Sequence, residues 1–138
     1  MTNKVITKWS EGMKFQTIGQ NGSSITVGSS LEGDNQKVPS PKALMLSSLA
    51  ACSGLDVVSI LEKMKIKLSD FKINTIGSLT QEHPKYYNKV SIEYHFYGEQ
   101  LDKEKIKKAV NLSVSKYCGV MEMFRSFAEI STEIHYNS

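Results

Sequence analysis

The apolar positions divide the chain into one long apolar segment and several shorter alternating ones. Residues 39 to 65, Pro39-Ser40-Pro41 followed by KALMLSSLAACSGLDVVSILEKMK, contain only two ionisable side chains between Ala43 and Leu61, Cys52 and Asp56. That composition predicts one long helix with Cys52 near its middle. Ser40 suits the N-cap and Pro41 the first helical position, where an amide N–H has no intrahelical partner to lose. About 20 apolar residues suffice to cross a bilayer, but Gly54, Asp56 and five serines (Ser40, Ser47, Ser48, Ser53 and Ser59) interrupt the run. A carboxylate at a helix centre is costly in lipid. The expectation is a central helix covered by protein, with small residues around Cys52 admitting a close neighbour. Asp56, one turn further on, shares the face of Cys52.

The flanking segments alternate with the period of strands. Val5, Ile6, Thr7 and Trp9 predict a first strand and residues 13 to 18 a second. Gln20-Asn21-Gly22-Ser23 is a hairpin turn of the Asn-Gly type, and Ser24 to Val27 returns as a third strand, completing a meander. Gly28 to Val38 is polar and aperiodic, a loop whose length suits a functional role or ordering against a partner subunit. Beyond a connection at residues 66 to 70, Phe71 to Leu79 predicts a strand and Gln81 to Asn88 a turn around Pro84. Val90, Ile92, Tyr94 and Phe96 then form the apolar face of a second strand. Asp102 caps a second helix whose positions Ile106, Val110, Ser113 and Tyr117 continue at helical spacing to Cys118. A short helical segment over residues 120 to 125 and a strand over 128 to 136 close the chain. The order is that of an α+β fold.

Length and composition narrow the function. With 138 residues and 40% hydrophobic content, the chain suits a single domain spanning residues 1–138. Sixteen lysines and one arginine, Arg125, against fourteen acids leave a net charge of +3. That is a lysine-rich solvated surface without the arginine-rich or aromatic-interleaved patch of a nucleic-acid binder. The N-terminus lacks a signal-peptide core, which predicts a cytoplasmic protein with reduced cysteines. Cys52 and Cys118 are 66 residues apart, and His83, His95 and His135 are scattered over turn and strand positions, so the sequence offers no zinc ligand set. His95 and His135 alternate outward, into solvent. Spacing alone leaves each cysteine either a small buried hydrophobe or a reactive thiol.

Local words favour the second. The GMKF strand, the SPKALMLSSLAAC helix opening, its GLDVVSILEK continuation, the tyrosine-rich hairpin and the VNLSVSKYC helix end resemble the OsmC/Ohr family, the osmotically induced and organic-hydroperoxide-resistance proteins. The likeness is nearest to a divergent OsmC-like branch in which DVVSIL follows the first cysteine. It implies an intertwined homodimer with paired central helices and a cysteine-based peroxidase. Cys52 would attack an organic hydroperoxide, or hydrogen peroxide, and Cys118 would resolve the sulfenic acid as a disulfide. An external dithiol would reduce that disulfide, with no cofactor, metal, nucleic acid or membrane involved. The chain departs from the family pattern at two places. Lys42 stands ten residues before Cys52, where the best-studied members have a glutamate, and no arginine precedes Arg125. A free thiol is only a few per cent thiolate at neutral pH, so a cation is sought in Arg125, Lys14 or Lys42, while Asp56 acts in the opposite sense. Met121, Met123, Phe124 and Phe127 offer an apolar entrance beside Arg125. The alternative is a non-peroxidatic relative that binds a small apolar molecule in the dimer-interface cleft.

Overall fold

A computed structural model describes all residues, Met1–Ser138. The chain divides into two compact units, Met1–Met45 and Leu46–Ser138. The first is the expected meander, with β1 (Ile6–Glu11), β2 (Lys14–Ile18) and β3 (Ser24–Gly28) paired antiparallel in that order. Its hairpin turns as the sequence predicts. The Asn21 side chain accepts hydrogen bonds from the Ser23 N–H and hydroxyl at 3.1 and 2.6 Å, while Gly22 takes a positive φ of 86°. The loop beyond β3 folds back on its own unit, and the Lys14 ammonium donates to the Gln36 carbonyl at 3.4 Å and lies 3.9 Å from Asp34. Ile6, Trp9, Phe15 and Ile25 leave much of their apolar surface uncovered.

The long helix, α1 (Pro41–Lys63), begins where its cap predicts, with Ser40 Oγ accepting from the Ala43 N–H at 3.2 Å. It ends in a Schellman motif. Lys65 adopts a left-handed φ of 61°, and the Ile66 and Lys65 N–H groups return to the Leu61 and Glu62 carbonyls at 2.9 and 3.0 Å. A lysine here occupies the position that glycine usually takes, which is why the sequence gives no clear stop at that point.

The second unit places α1 against the sheet of β4 (Asp70–Leu79), β5 (Tyr87–Tyr97) and β6 (Glu129–Asn137), with β5 central. The β4–β5 turn contains a cis peptide between His83 and Pro84. β6 runs parallel to β5. Parallel neighbours need a crossover, supplied by α2 (Lys103–Leu112), a π-helical turn (Ser113–Tyr117) and α3 (Gly119–Arg125). Asp102 caps α2 as expected, accepting from the Lys105 N–H at 3.1 Å. The expectation of one helix running on to Cys118 is corrected: α2 stops at Leu112 and the wider turn follows, so Tyr117 is exposed rather than on the apolar stripe.

The core is the predicted apolar face of β5, Val90, Ile92, Tyr94 and Phe96, packed with Leu49, Val57 and Leu61 of α1, Ile106, Ala109 and Val110 of α2, and Met121 and Phe124 of α3. Small residues near Cys52 do admit a close neighbour, which is a β4 side chain: a Cβ built on Gly54 would stand 3.1 Å from Ile73 Cδ1. The expected cover of α1 is only partial. The second unit approaches it from one side, burying one stripe, while Leu55 is 73% and Val58 49% exposed. By length and composition alone α1 could cross a membrane, but its buried stripe packs on a sheet. On the opposite sheet face, His95 and His135 point outward as predicted, but they are not free in solvent: their rings stack at 4.5 Å, because parallel pairing sets them side by side.

Replacing Leu61 by Ala removes a fully buried side chain and is expected to lower the unfolding free energy by about 2–5 kcal/mol in urea denaturation. Asp102→Ala, which deletes only the α2 cap, is expected to cost about 0.5–2 kcal/mol.

Candidate functional site

Cys52 lies half-buried on α1, and Cys118, 4% exposed, stands between the π-helical turn and α3. Each is placed by the local backbone. The turn closes with the Cys118 N–H on the Ser113 carbonyl at 2.9 Å, and Cys118 then leaves the helical region at φ −77° and ψ 104° to cap α3, its sulfur accepting from the Met121 N–H at 3.4 Å. An α-helical turn would make its bond one residue sooner. The extra residue turns the thiol toward α1.

Both cysteines are free thiols, and Cys52 packs against the buried cluster that contains Cys118. Burial pushes the Cys118 thiol up to about 11 from its ordinary 9.0, helped by the neighbouring Cys52 thiol and, less, by the Asp56 carboxylate; the Met121 N–H partly offsets them. Cys118 therefore keeps its proton at neutral pH.

A chain of hydroxyls runs beside the pair. Ser53, next to Cys52 in sequence and fully buried, lies 2.6 Å from the Tyr94 hydroxyl and 2.8 Å from Ser113 Oγ. The Ser113 hydroxyl in turn reaches the Asp56 carboxylate at 3.1 Å and the Ser53 carbonyl at 3.3 Å. Burial raises the Tyr94 phenol above its ordinary range; its hydrogen bond with Ser53 opposes this, and Cys118 and Asp56 add smaller upward contributions.

The other residues singled out in the sequence lie as follows. Asp56 is bonded into this chain through the Ser113 hydroxyl. The Arg125 guanidinium donates to Glu122 Oε2 at 3.0 Å and to the Val114 carbonyl, clamping the π-helical turn that carries Cys118. Lys14 is held by the loop of its own unit through Asp34 and Gln36, and Lys42 is exposed in the first turn of α1. Of the apolar residues beside Arg125, Met121 and Phe124 are core, while Met123 and Phe127 are exposed. No three histidine, cysteine or acidic side chains converge as a metal ligand set. Sequence reasoning missed Ser53, Tyr94 and Ser113. Their signal was a hydroxyl at an apolar position: Ser53 continues the stripe of Leu49, Val57 and Leu61, and Ser113 that of Ile106 and Val110.

Comparison with known proteins gives this arrangement its relatives. The family described as OsmC-like protein matches residues 33–133. Protein YhfA of Escherichia coli is 31% identical over 124 residues, 90% of each chain. The crystal structure of a hypothetical protein from Aquifex aeolicus superposes with a TM-score of 0.86 at 29% identity, covering 99% of this chain and 96% of that one. The organic hydroperoxide resistance protein OhrB of Bacillus subtilis shares the fold at 19% identity, with a TM-score of 0.66 and 97% and 98% of the two chains covered.

The buried thiol carries a pH consequence. Between its ordinary value of 9.0 and about 11, the unfolded chain loses the Cys118 proton while the folded chain keeps it. The unfolded state thus binds fewer protons, and stability falls as pH rises through that window. The reduced protein is expected to lose about 1–3 kcal/mol from pH 9 to 11. Urea midpoints measured across this range should show a shallower fall in Cys118→Ala.

Proposed function

Because the chain belongs to the OsmC-like family and packs Cys52 against the buried cluster that contains Cys118, we propose that it is a cysteine-based hydroperoxide reductase with Cys52 as the peroxidatic and Cys118 as the resolving residue. The observation that supports this reading is that two cysteines 66 residues apart fall in one packed cluster, with the buried one holding its proton. Cys52, the more exposed sulfur, is then the nucleophile. Its thiolate attacks the O–O bond of an organic hydroperoxide, or of hydrogen peroxide, forming a sulfenic acid and releasing the alcohol or water. Cys118 attacks that sulfur, water departs, and a disulfide remains. An external dithiol restores both thiols, so no bound cofactor enters the cycle. The cytoplasm, which keeps thiols reduced, suits that last step.

The working unit in this reading is a homodimer. Leu55 and Val58 on α1 leave an apolar face uncovered, and so do several side chains of the meander; exposed apolar area of this kind marks association surfaces. A second reading, binding of a small apolar molecule at the dimer interface without redox chemistry, draws on the cations: Arg125 and Lys14 are committed to other partners.

Turnover separates the two. Wild-type protein supplied with a dithiol is expected to consume cumene hydroperoxide, and Cys52→Ser to lose at least about 100-fold of that rate, the thiolate being the nucleophile. Mass spectrometry after peroxide treatment should find an intramolecular Cys52–Cys118 disulfide. Over-oxidised Cys52 without that disulfide would remove Cys118 from the mechanism, and no consumption at all would leave the binding reading. In sedimentation experiments the wild type should be a dimer at micromolar concentration, and Leu55→Glu should shift it toward monomer.

A further inference from the structure

The outer face of the second unit's sheet carries a side-chain cluster that the thiol chemistry does not use. β5 and β6 pair parallel and in register, with His95 beside His135 and Glu93 beside Glu133. Residues two apart in a strand share a face, so these four side chains occupy neighbouring corners of one patch. Parallel pairing also gives them a common direction. His95 Nε2 lies 3.4 Å from Glu93 Oε1, and His135 Nε2 lies 3.2 Å from Glu133 Oε2. Each ring nitrogen thus turns toward the preceding glutamate of its own strand, and since the strands run the same way, both nitrogens turn the same way. The rings stack with centroids 4.5 Å apart and planes 7° from parallel. Asn74 of β4 closes the inner side, its amide donating to Glu93 Oε1 at 3.3 Å and lying 3.5 Å from His95 Nε2.

These spacings are close to those of ligands on one ion. Two donors about 2.1 Å from a zinc ion at the tetrahedral angle stand about 3.4 Å apart, and the two nitrogen-to-carboxylate distances are 3.4 and 3.2 Å. The two nitrogens, on near-parallel rings facing one way, are separated by about the ring spacing, so tilting the rings together by about 1 Å brings that pair to ligand separation too. Before that tilt no three of the side chains converge. The outer half is free to make it: the His135 and Glu133 side chains are 43% and 63% exposed, whereas His95 and Glu93, at 19% and 29%, anchor the inner half. The Asn74 hydrogen bond, and next that of His95, hold the Glu93 carboxyl below its ordinary range, with burial opposing them. Lys72 pairs with His95 from β4, but it is exposed and its flexible ammonium can turn to water. Two imidazoles with two carboxylates suit zinc and its divalent neighbours.

We propose that His95 and His135, with Glu93 and Glu133, form a binding site for a divalent transition-metal ion of the zinc class on the outer face of the sheet. The ion takes the place of the hydrogen that each imidazole shares with its glutamate. Each ring ligates through Nε2 as the neutral tautomer, its proton on Nδ1, and the two carboxylates balance the charge of the ion. Two ligands come from β5 and two from β6, so the ion ties the C-terminal strand to the centre of the sheet. An ion held by the folded chain and not by the unfolded one stabilises the fold. The site is independent of the redox reading, because the cysteines belong to the helices on the other face.

Co²⁺, which occupies zinc sites and absorbs visible light there, is the probe, added to the reduced full-length protein without oxygen. The wild type is expected to bind one Co²⁺ per chain in the micromolar range, with the visible absorption of a tetrahedral ion, and to release it to added Zn²⁺. Glu133→Gln is expected to weaken binding on the order of 10-fold, as removal of a group beside a metal commonly does, and His135→Gln to weaken it further. Zn²⁺ should raise the thermal unfolding midpoint of the wild type and leave that of His135→Gln unmoved. The midpoint of each variant without metal reports whether it folds, and Glu133→Gln, whose side chain is 63% exposed, carries the test if His135→Gln does not. Cys52 and Cys118 are competing donors, and an ion on either would show the near-ultraviolet charge-transfer absorption of a thiolate ligand. No binding to the wild type, thiolate absorption from the bound ion, or affinity within twofold of wild type in a folded His135→Gln or Glu133→Gln would each overturn the site.

Discussion

A serine hydroxyl in the middle of an apolar helix stripe must be satisfied or it destabilises the fold, and Ser53 meets that requirement where three elements cross. Its oxygen bonds Tyr94 of β5 and Ser113 at the end of α2. Apolar contacts would tolerate a small rotation of α1 about its axis, since they have no direction. Bonds of 2.6 and 2.8 Å to two other elements do not. Rotation of α1 fixes where Cys52 points, and the position of Ser113 fixes where the π-helical turn starts and so where Cys118 emerges. The placement of both cysteines is thus a downstream result of satisfying one buried hydroxyl.

Most elements were legible because each rests on local chemistry. The Ser40 and Asp102 caps, the Asn21-Gly22 turn and the alternation of Val90, Ile92, Tyr94 and Phe96 are read from a few neighbouring residues, and each appears in the structure. What escaped depends on partners distant in sequence. Periodicity cannot say that β6 pairs parallel to β5, and with that pairing went the stack of His95 on His135. The hydroxyl chain escaped because a serine on an apolar stripe passes for a tolerated small residue. That Cys52 packs against the cluster containing Cys118 had no basis in spacing at all.

The long helix shows a different limit. Its composition demanded cover around most of its circumference, yet the second unit supplies one stripe, leaving Leu55 and Val58 open. Composition states how much apolar surface must be hidden but not by which chain. An uncovered face on a helix whose opposite face carries a buried polar network is best hidden by another protein surface.

The π-helical turn also sets a phase. Each α-helical residue advances the side chain by about 100°, so the one extra residue in the turn over Ser113–Tyr117 works as an angular offset between two helices that are otherwise ordinary. It sends Tyr117 outward and Cys118 inward, and the Arg125 guanidinium on the Val114 carbonyl holds the offset in place. A single-residue deletion in this turn would therefore act as a rotation rather than a shortening, re-aiming the buried thiol while leaving composition, charge and core volume almost unchanged. In this fold the identity of a cysteine's partner is encoded in helical phase as much as in the cysteine itself.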